Sequence, residues 1–266
     1  MTTIAHLSDL HVLEADLHGR STTERLRLSY LTATRRKSAA LRRAQLKRSL
    51  EAASLAGADH VVITGDLTEE GTPRQFELLA ELLSESGLDP ERVTLVPGNH
   101  DAYDDARGFE RALSGPLARF APHSARGATT VFGDTVIMAV STAVHQTWLT
   151  SWGAMGADQY APILGAKRRF GGRAVILAQH HPPMHRGAMH WIDGLRDTAR
   201  LTRLLEGHPH VHVLHGHLHR ERERALSPLG APQIFGVAPA FDNRAPVKLY
   251  DIIDGRVVPR QSALAA

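Results

Sequence analysis

The sequence contains no cysteine, and this absence limits the chemistry open to it. The chain forms no disulfide and offers no thiolate, so any metal ion must be bound by His, Asp, Glu or Asn side chains. No run of about 18 apolar residues occurs, so no transmembrane helix is predicted. The first six residues have neither the basic start nor the apolar core of a signal peptide. We therefore expect a cytoplasmic protein.

Motifs of other hydrolytic mechanisms are missing as well. The sequence has no P-loop, no Gly-x-Ser-x-Gly nucleophile turn and no thiol nucleophile. Aromatic residues make up only 5% of the chain, and the net charge is a modest +3. Histidine, in contrast, occurs 17 times. Between residues 208 and 219 several histidines are interleaved with Val and Leu, which favours a strand over a flexible metal-binding tail.

Composition predicts one α/β domain over residues 1–266, because 42% of the residues are hydrophobic and no linker or internal repeat is evident. Residues about 20–48 form an arginine-rich insert. From Ser38 to Gly57 apolar residues recur at helical spacing, which predicts a solvated helix packed on a sheet. The alternative is a basic surface that meets an acidic substrate or an anionic lipid.

Short apolar runs alternate with helical patterns, which predicts parallel strands joined by helices. The predicted strands are 3–7, 58–64, 93–96, two strands around a Gly133-Asp134 turn within 129–140, 174–178, 211–214, and hairpin strands at 233–237 and 248–253. The predicted helices are 38–57, 72–86, 104–120 with an interruption at Gly115-Pro116, 157–169 and 195–206.

Polar residues follow five of these strands at their carboxyl ends, where ligands collect in open α/β sheets. They are Asp9 and His11, Asp66, Asn99 and His100, His180, and His217 and His219. Their nitrogen and oxygen atoms are ligands enough for two cations, with iron, manganese, cobalt or zinc favoured by the mixed set. Two cations clamp the oxygens of an in-line phosphoryl displacement and lower the pKa of bound water from about 15.7 toward about 7. The pattern thus predicts a metal-dependent hydrolase of phosphate esters.

These motifs resemble those of the calcineurin-like metallophosphoesterases. They occur in the family's order within residues 3–220, as Asp9-Leu10-His11, Gly65-Asp66, Gly98-Asn99-His100-Asp101, His180 and Gly216-His217-Leu218-His219. The resemblance implies an α/β fold, a four-layer αββα sandwich of two mixed β-sheets flanked by helices, with a dinuclear metal site at the carboxyl ends of the strands. Within the family, residues 65–68 and 180–183 are most similar to the bacterial class III cyclic nucleotide phosphodiesterases and glycerophosphodiesterases.

The resemblance also implies roles for single residues. The ligands implied for one metal are Asp9, His11 and His219, and those for the other are Asn99, His180 and His217, with Asp66 bridging the two. His180 is preferred to its neighbour His181 because the family's ligand lies two residues before proline, and His181 would then lie behind it or face the substrate. His100 would stabilise the phosphoryl oxygens or protonate the leaving alkoxide, and Asp101 would hold the His100 ring.

Several substrates fit this pattern. The first hypothesis is a small phosphodiester, such as a cyclic nucleotide, hydrolysed by attack of a metal-bound hydroxide. The second is a lipid-linked pyrophosphate or phospholipid at a membrane surface, contacted by the arginine-rich insert; a phosphomonoesterase and a non-enzymatic scaffold are further alternatives. Duplex nucleic acid is not expected, and a homo-oligomer is compatible with the sequence. Five loop residues either stack on a nucleobase or anchor their loops: Trp148, Trp152, His185, His190 and Trp191.

Overall fold

The computed structural model describes residues 1–33, 38–184, 187–226, 230–242 and 247–260. The strands are β1 (Thr2–Leu7), β2 (His60–Thr64), β3 (Val93–Val96), β4 (Thr129–Phe132), β5 (Thr135–Ala139), β6 (Ala174–Ala178), β7 (Val211–His215), β8 (Arg222–Ala225), β9 (Pro232–Gly236), β10 (Lys248–Ile253) and β11 (Arg256–Pro259). The α-helices are α1 (Thr22–Thr32), α2 (Ala39–Leu55), α3 (Pro73–Glu85), α4 (Gly108–Leu113), α5 (Ala121–Ser124), α6 (Tyr160–Phe170), α7 (His190–Asp193) and α8 (Thr198–Glu206). Within these ranges no helix is long and apolar enough to cross a membrane.

The strands form two mixed β-sheets. In the first sheet the order is β11-β10-β1-β2-β3, with β1, β2 and β3 parallel and β10 antiparallel to both of its neighbours. In the second the order is β4-β5-β6-β7-β9-β8, with β5, β6, β7 and β9 parallel and the two edge strands antiparallel. The carboxyl ends of the parallel strands within each sheet therefore lie at one edge.

Successive residues of the central strands enter different cores, because neighbouring side chains of a strand point to opposite faces. Val61 and Ile63 of β2 pack with α2, α3 and α4, whereas Val62 packs between the two sheets. In β6, Val175 packs with α6 and α8, and Ile176 enters the core between the sheets. Each sheet is thus covered on both faces. The predicted fold class, two mixed β-sheets flanked by helices, is confirmed.

One prediction about secondary structure is wrong in part, and some elements have no predicted counterpart. The predicted helix 104–120 contains only α4 as regular helix. The predicted interruption at Gly115-Pro116 follows the end of α4, where Pro116 lacks the backbone N–H that would continue a helix. The predicted hairpin strands 233–237 and 248–253 are both present; they lie in different sheets, and each pairs with a strand that was not predicted, β8 or β11. Helix α1 has no predicted counterpart either. Its local signal is a capping box in which Ser21 and Glu24 exchange side-chain-to-backbone hydrogen bonds.

The arginine-rich insert is folded against acidic residues that lie far away in the sequence. Helix α2 begins after Ser38, whose hydroxyl accepts a hydrogen bond from Leu41 N at 3.3 Å, as the predicted helix requires. Arg27 contacts Glu70 at 2.8 Å, and Arg20 also contacts Glu70, at 2.5 Å. The predicted basic positions 35–37 lie outside the described residues.

Candidate metal centre

The loops that follow β1, β2, β3, β6 and β7 meet at one end of the two sheets. Backbone hydrogen bonds join the first two loops, from Asp9 N to Gly65 O at 2.9 Å and from His11 N to Asp66 O at 2.8 Å. The loops after β6 and β7 are joined by a bond from Gly216 N to the carbonyl of His180 at 3.2 Å. The two sheets are connected across the site because His217 N lies 3.2 Å from both Asp9 carboxylate oxygens.

The backbone is strained at these loops. Among the described residues other than glycine, six have positive φ angles: Asp9, His11, Asp66, His217, His219 and Asp254. The last belongs to the Asp-Gly turn between β10 and β11, where such angles are usual. The other five are all predicted metal ligands. Strained backbone that is held by the surrounding structure concentrates at functional sites.

The first predicted ligand set is brought together. Ligand atoms of Asp9, His11, Asp66 and His219 all lie within 4.8 Å of one another. His219 Nε2 lies 3.2 Å from Asp9 Oδ1 and 3.4 Å from His11 Nε2. Ligands bound about 2.1 Å from one cation lie about 3.0–3.4 Å from each other at the usual angles. The spacing therefore fits a shared cation.

The second predicted set presents atoms that suit a cation. His180 donates from Nδ1 to Thr64 O at 2.8 Å, and its buried Nε2 faces Asp66 Oδ1 at 3.3 Å. His217 donates from Nε2 to Asp193 O at 2.8 Å, so Nδ1 carries the lone pair of the neutral ring. The buried Asn99 Oδ1 has no hydrogen-bond partner in the described part of the chain. Buried polar atoms without partners are costly unless something satisfies them, and a cation would do so here.

Asp66 lies between the two sets. Its Oδ1 is 3.3 Å from His180 Nε2, and its Oδ2 is 3.7 Å from His11 Nε2. The carboxylate is almost fully buried, and Oδ1 accepts a hydrogen bond from His100 N at 3.0 Å. Gly98 leaves room for it, since a Cβ there would lie 2.2 Å from Oδ1. The Asp66 carboxylate thus presents one oxygen to a ligand of the first set and its other oxygen to a ligand of the second set.

Both ring nitrogens of His181 already contact other residues of the protein. Its Nδ1 contacts the Thr142 hydroxyl at 2.8 Å, and its Nε2 donates to Ser151 O at 2.9 Å. Burial, together with His217 and His180, lowers the pKa of His181 well below its ordinary value, so the ring is neutral. Both nitrogens of a neutral ring are therefore occupied, and these contacts favour His180 as the ligand.

The contacts of Asp101 differ from those expected. His100 donates from Nδ1 to Glu69 O at 2.7 Å, whereas the Asp101 carboxylate accepts from Gly98 N at 2.8 Å, Leu67 N at 3.0 Å and the Thr68 amide and hydroxyl at 2.8 and 2.7 Å. The prediction that Asp101 holds the His100 ring is therefore wrong. Asp101 fixes the turn after β3 against the loop after β2, because a carboxylate satisfies several nearby donors at once. The turn is held in place by this residue, and with it Asn99 and His100.

The charges of the site favour cation binding. Burial raises the pKa of Asp66, but His180, His100 and His11 outweigh it and hold the pKa well below its usual range. Burial lowers the pKa of His180, but Asp66 and Asp9 outweigh it and raise the pKa to about 9. Without a metal ion, His180 therefore carries a proton beside the buried carboxylates. A cation placed between them would displace that proton.

Sequence reasoning missed two residues beside the site, Glu69 and Arg42. The Glu69 carboxylate is fully buried next to His11 and His100, and it contacts Arg42 of α2. A sequence signal exists, because two consecutive glutamates follow the Gly65-Asp66 motif at a predicted strand end. The sequence does not show which arginine pairs with Glu69.

Of the five loop residues predicted either to stack on a nucleobase or to anchor their loops, the three tryptophans make anchoring contacts. Trp148 contacts Tyr30 of α1, with ring centroids 4.7 Å apart. The Arg196 guanidinium lies 4.7 Å from the Trp152 ring and 4.6 Å from the Trp191 ring. These contacts support the anchoring role, although Trp191 keeps 69% of its surface exposed. Two other residues of this group differ from the tryptophans: His190 is buried, and His185 lies outside the described residues.

Comparisons with known proteins agree with this geometry. The calcineurin-like phosphoesterase family matches residues 2–221. A 3',5'-cyclic-nucleotide phosphodiesterase from Nostoc sp. is 26% identical over 83% of this chain and 73% of its own length. A crystal structure of a dimetal phosphatase from Danio rerio has a TM-score of 0.65 and 16% identity, covering 94% of this chain and 92% of that one. The crystal structure of TT1561 from Thermus thermophilus has a TM-score of 0.59 and 14% identity over 97% and 98% of the two chains.

The chain belongs to the calcineurin-like phosphoesterase family. It is a metal-dependent phosphoesterase with a dinuclear metal site, as predicted from the motifs at the strand ends.

Proposed function

We propose that this phosphoesterase hydrolyses phosphodiesters, with small diesters such as cyclic nucleotides as its substrates. The proposal rests on the position of the Asp66 carboxylate. Its Oδ1 lies 3.3 Å from His180 Nε2, and its Oδ2 lies 3.7 Å from His11 Nε2. A carboxylate shared in this way suits two cations that clamp an in-line phosphoryl displacement. The diester preference is supported by the Nostoc phosphodiesterase, which matches most of the chain.

The proposed ligands divide into two sets with one shared member. They are Asp9, His11 and His219 for one cation, Asn99, His180 and His217 for the other, and Asp66 for both. When bound, the cations would neutralise charge on the phosphoryl oxygens and lower the pKa of water between them. The nitrogen and oxygen donors suit iron, manganese, cobalt or zinc.

His100 acts on the substrate in this proposal. Its Nδ1 is held by Glu69 O at 2.7 Å, and its Nε2 lies 3.9 Å from Asp66 Oδ2, on the side where the phosphoryl group would bind. From there Nε2 hydrogen-bonds a phosphoryl oxygen or gives a proton to the leaving alkoxide. Asp101 contributes indirectly, because its four hydrogen bonds hold the turn that carries His100.

Two substitutions separate metal binding from proton transfer. Asn99→Ala should lower the metal content at one site, whereas His100→Ala should keep both metals and reduce turnover of a diester with a poor leaving group by about 100-fold or more. Metal analysis and single-substrate kinetics measure the two effects. Full turnover by His100→Ala on such a diester would contradict the proton-donor role.

A substrate panel tests the class of ester. It consists of bis-p-nitrophenyl phosphate, p-nitrophenyl phosphate, cyclic AMP, 2',3'-cyclic nucleotides and glycerophosphodiesters, assayed with the Mn²⁺-loaded protein. We expect a higher kcat/KM for diesters than for the monoester. A preference for p-nitrophenyl phosphate would favour the phosphomonoesterase alternative instead.

The membrane-surface alternative has less support from the contacts. Arg20 and Arg27 contact Glu70, and Arg42 contacts Glu69. These three guanidinium groups are therefore paired with carboxylates of the protein itself. Sedimentation with anionic vesicles tests the alternative: binding that is lost on removal of residues 20–37 would support it. The cytoplasmic location, the homo-oligomer and the single domain over residues 1–266 stay predictions.

A further inference from the structure

The short helix α7 lies beside the proposed second cation. Its last residue, Asp193, accepts a hydrogen bond through its backbone carbonyl from His217 Nε2 at 2.8 Å. The next residue, Gly194, accepts one from Gly153 N at 3.1 Å, which joins α7 to the loop that precedes α6. The side chains of α7 and of this loop therefore border the space next to a proposed metal ligand.

Three side chains of these two segments are stacked on one another. The Arg196 guanidinium lies over both indole rings, 4.7 Å from the centroid of Trp152 and 4.6 Å from that of Trp191. Its Nη2 also donates a hydrogen bond to Trp191 O at 2.7 Å. Cation–π contacts of this kind, together with the backbone bond, hold the rings and the guanidinium in a fixed arrangement.

Trp191 is the most exposed member of this stack. Its exposed fraction is 69%, and its neighbours Met189 and Ile192 are exposed as well, at 50% and 43%. Arg196 contacts the Trp191 ring, and the exposed remainder is accessible to a ligand. A rigid aromatic ring that has apolar surface in water and a bound cation behind it suits a flat aromatic partner.

We infer that Trp191, supported by Arg196, is the surface on which the nucleobase of a nucleotide diester stacks while the phosphate is bound at the metal centre. The inference rests on the proposed function and narrows its substrate to nucleotides. A nucleotide carries its base one sugar away from its phosphate, and Trp191 is two residues from Asp193, whose carbonyl holds His217. Every base has a flat π-face, so the indole would accept different bases.

The arrangement is formed before any ligand binds. Arg196 already contacts the Trp191 ring, so little side-chain freedom would be lost when a base stacks on it. The structure also offers two matched controls. Ile192 is the adjacent exposed apolar residue but has no ring. Trp148 has an indole ring, but that ring contacts Tyr30 of α1, with centroids 4.7 Å apart.

The test compares two ligands that differ only by a base, adenosine 5'-monophosphate and ribose 5-phosphate, using isothermal titration of the Mn²⁺-loaded protein. For the wild type we expect the adenosine ligand to bind about 5–100-fold more tightly. Trp191→Leu should raise its Kd by about fivefold or more and leave the Kd of ribose 5-phosphate within about twofold, whereas Trp191→Phe should keep most of the preference.

The other variants test the partners of the stack. Arg196→Met should also weaken binding of adenosine 5'-monophosphate and leave ribose 5-phosphate unchanged, because the indole is then no longer held. Ile192→Ala and Trp148→Leu should stay within about twofold of the wild type for both ligands. A loss in Ile192→Ala as large as that in Trp191→Leu would overturn the inference, since apolar area rather than the ring would then be responsible.

The outcomes separate this inference from the proposed function. If the Mn²⁺-loaded wild type hydrolyses no phosphodiester, the proposed function fails. If it hydrolyses bis-p-nitrophenyl phosphate but binds adenosine 5'-monophosphate no more tightly than ribose 5-phosphate, only the stacking role is overturned, and this result does not depend on the folding of a variant. Equal weakening of both ligands in Trp191→Leu would also overturn it, because the substitution would then act on the metal centre.

Discussion

The side chain of Asn99 is oriented by the hydroxyl of Tyr103, which accepts a hydrogen bond from Asn99 Nδ2 at 2.8 Å. The hydroxyl uses its own hydrogen to bond Thr150 O at 3.0 Å, so toward Asn99 it can only accept. The amide is therefore held with its nitrogen toward the tyrosine and its oxygen toward the proposed second cation.

Removal of this hydroxyl should weaken metal binding without removing a ligand. For Tyr103→Phe we expect the Kd of one Mn²⁺ ion to rise about tenfold, because the amide is then free to rotate. Isothermal titration measures the change. Tyr160→Phe is the control, since the buried Tyr160 hydroxyl has no hydrogen-bond partner among the described residues. Equal Mn²⁺ binding by wild type and Tyr103→Phe would show that the orientation does not matter.

Substitution of the adjacent histidines should separate a ligand from a structural residue. His180→Asn should bind one metal ion fewer, because it removes the buried Nε2 that lies 3.3 Å from Asp66. His181→Gln should keep both ions, because the His181 ring contacts Thr142 and Ser151. Metal content after dialysis distinguishes the two variants. Loss of an ion from His181→Gln and not from His180→Asn would reverse the assignment.

Gly216, which precedes His217, should not tolerate substitution even by alanine. A Cβ at Gly216 would lie 1.8 Å from Ser8 Oγ and 2.5 Å from Asp9 Oδ2. We expect Gly216→Ala to lower the free energy of unfolding by about 1–3 kcal/mol and to weaken metal binding, because the Asp9 carboxylate must move. Urea denaturation measures the first effect.

A control glycine is found in α6. A Cβ at Gly165 would meet no atom within 4 Å, so Gly165→Ala should stabilise the protein by about 0.5–1 kcal/mol. A Gly216→Ala variant as stable and as active as the wild type would contradict the close packing of the two loops.

The strands and the proposed ligands could be predicted from sequence because both are local signals. The strand 174–178 is an unbroken apolar run, and His180 follows it within two residues. The contact between Glu69 and Arg42 could not be predicted, because the two residues are 27 positions apart and meet only in the folded chain. Which sheet a strand joins is also a long-range property, and for this reason the sequence does not assign 233–237 or 248–253 to a sheet.

Acid should destabilise the fold through buried neutral histidines away from the site. Burial, with His123 and Arg92, lowers the pKa of His60 to about 3 from its ordinary value of 6.5. As pH falls below 6.5 the unfolded chain binds a proton at His60 that the folded chain does not bind. This group alone therefore removes about 1.4 kcal/mol of stability per pH unit between pH 6.5 and about 3.

Urea denaturation of the metal-free protein between pH 7.5 and 5 measures this slope. His60→Gln should reduce the slope by the contribution of about one bound proton. An identical slope for wild type and His60→Gln would mean that His60 takes up a proton in the folded state.

The central claim is that Asp66 is shared by two cations, and anomalous diffraction from a crystal of the Mn²⁺-loaded protein tests it most directly. We predict two manganese peaks about 3.5–4 Å apart, one on each side of the Asp66 carboxylate. One peak, or two peaks without Asp66 between them, would contradict the account.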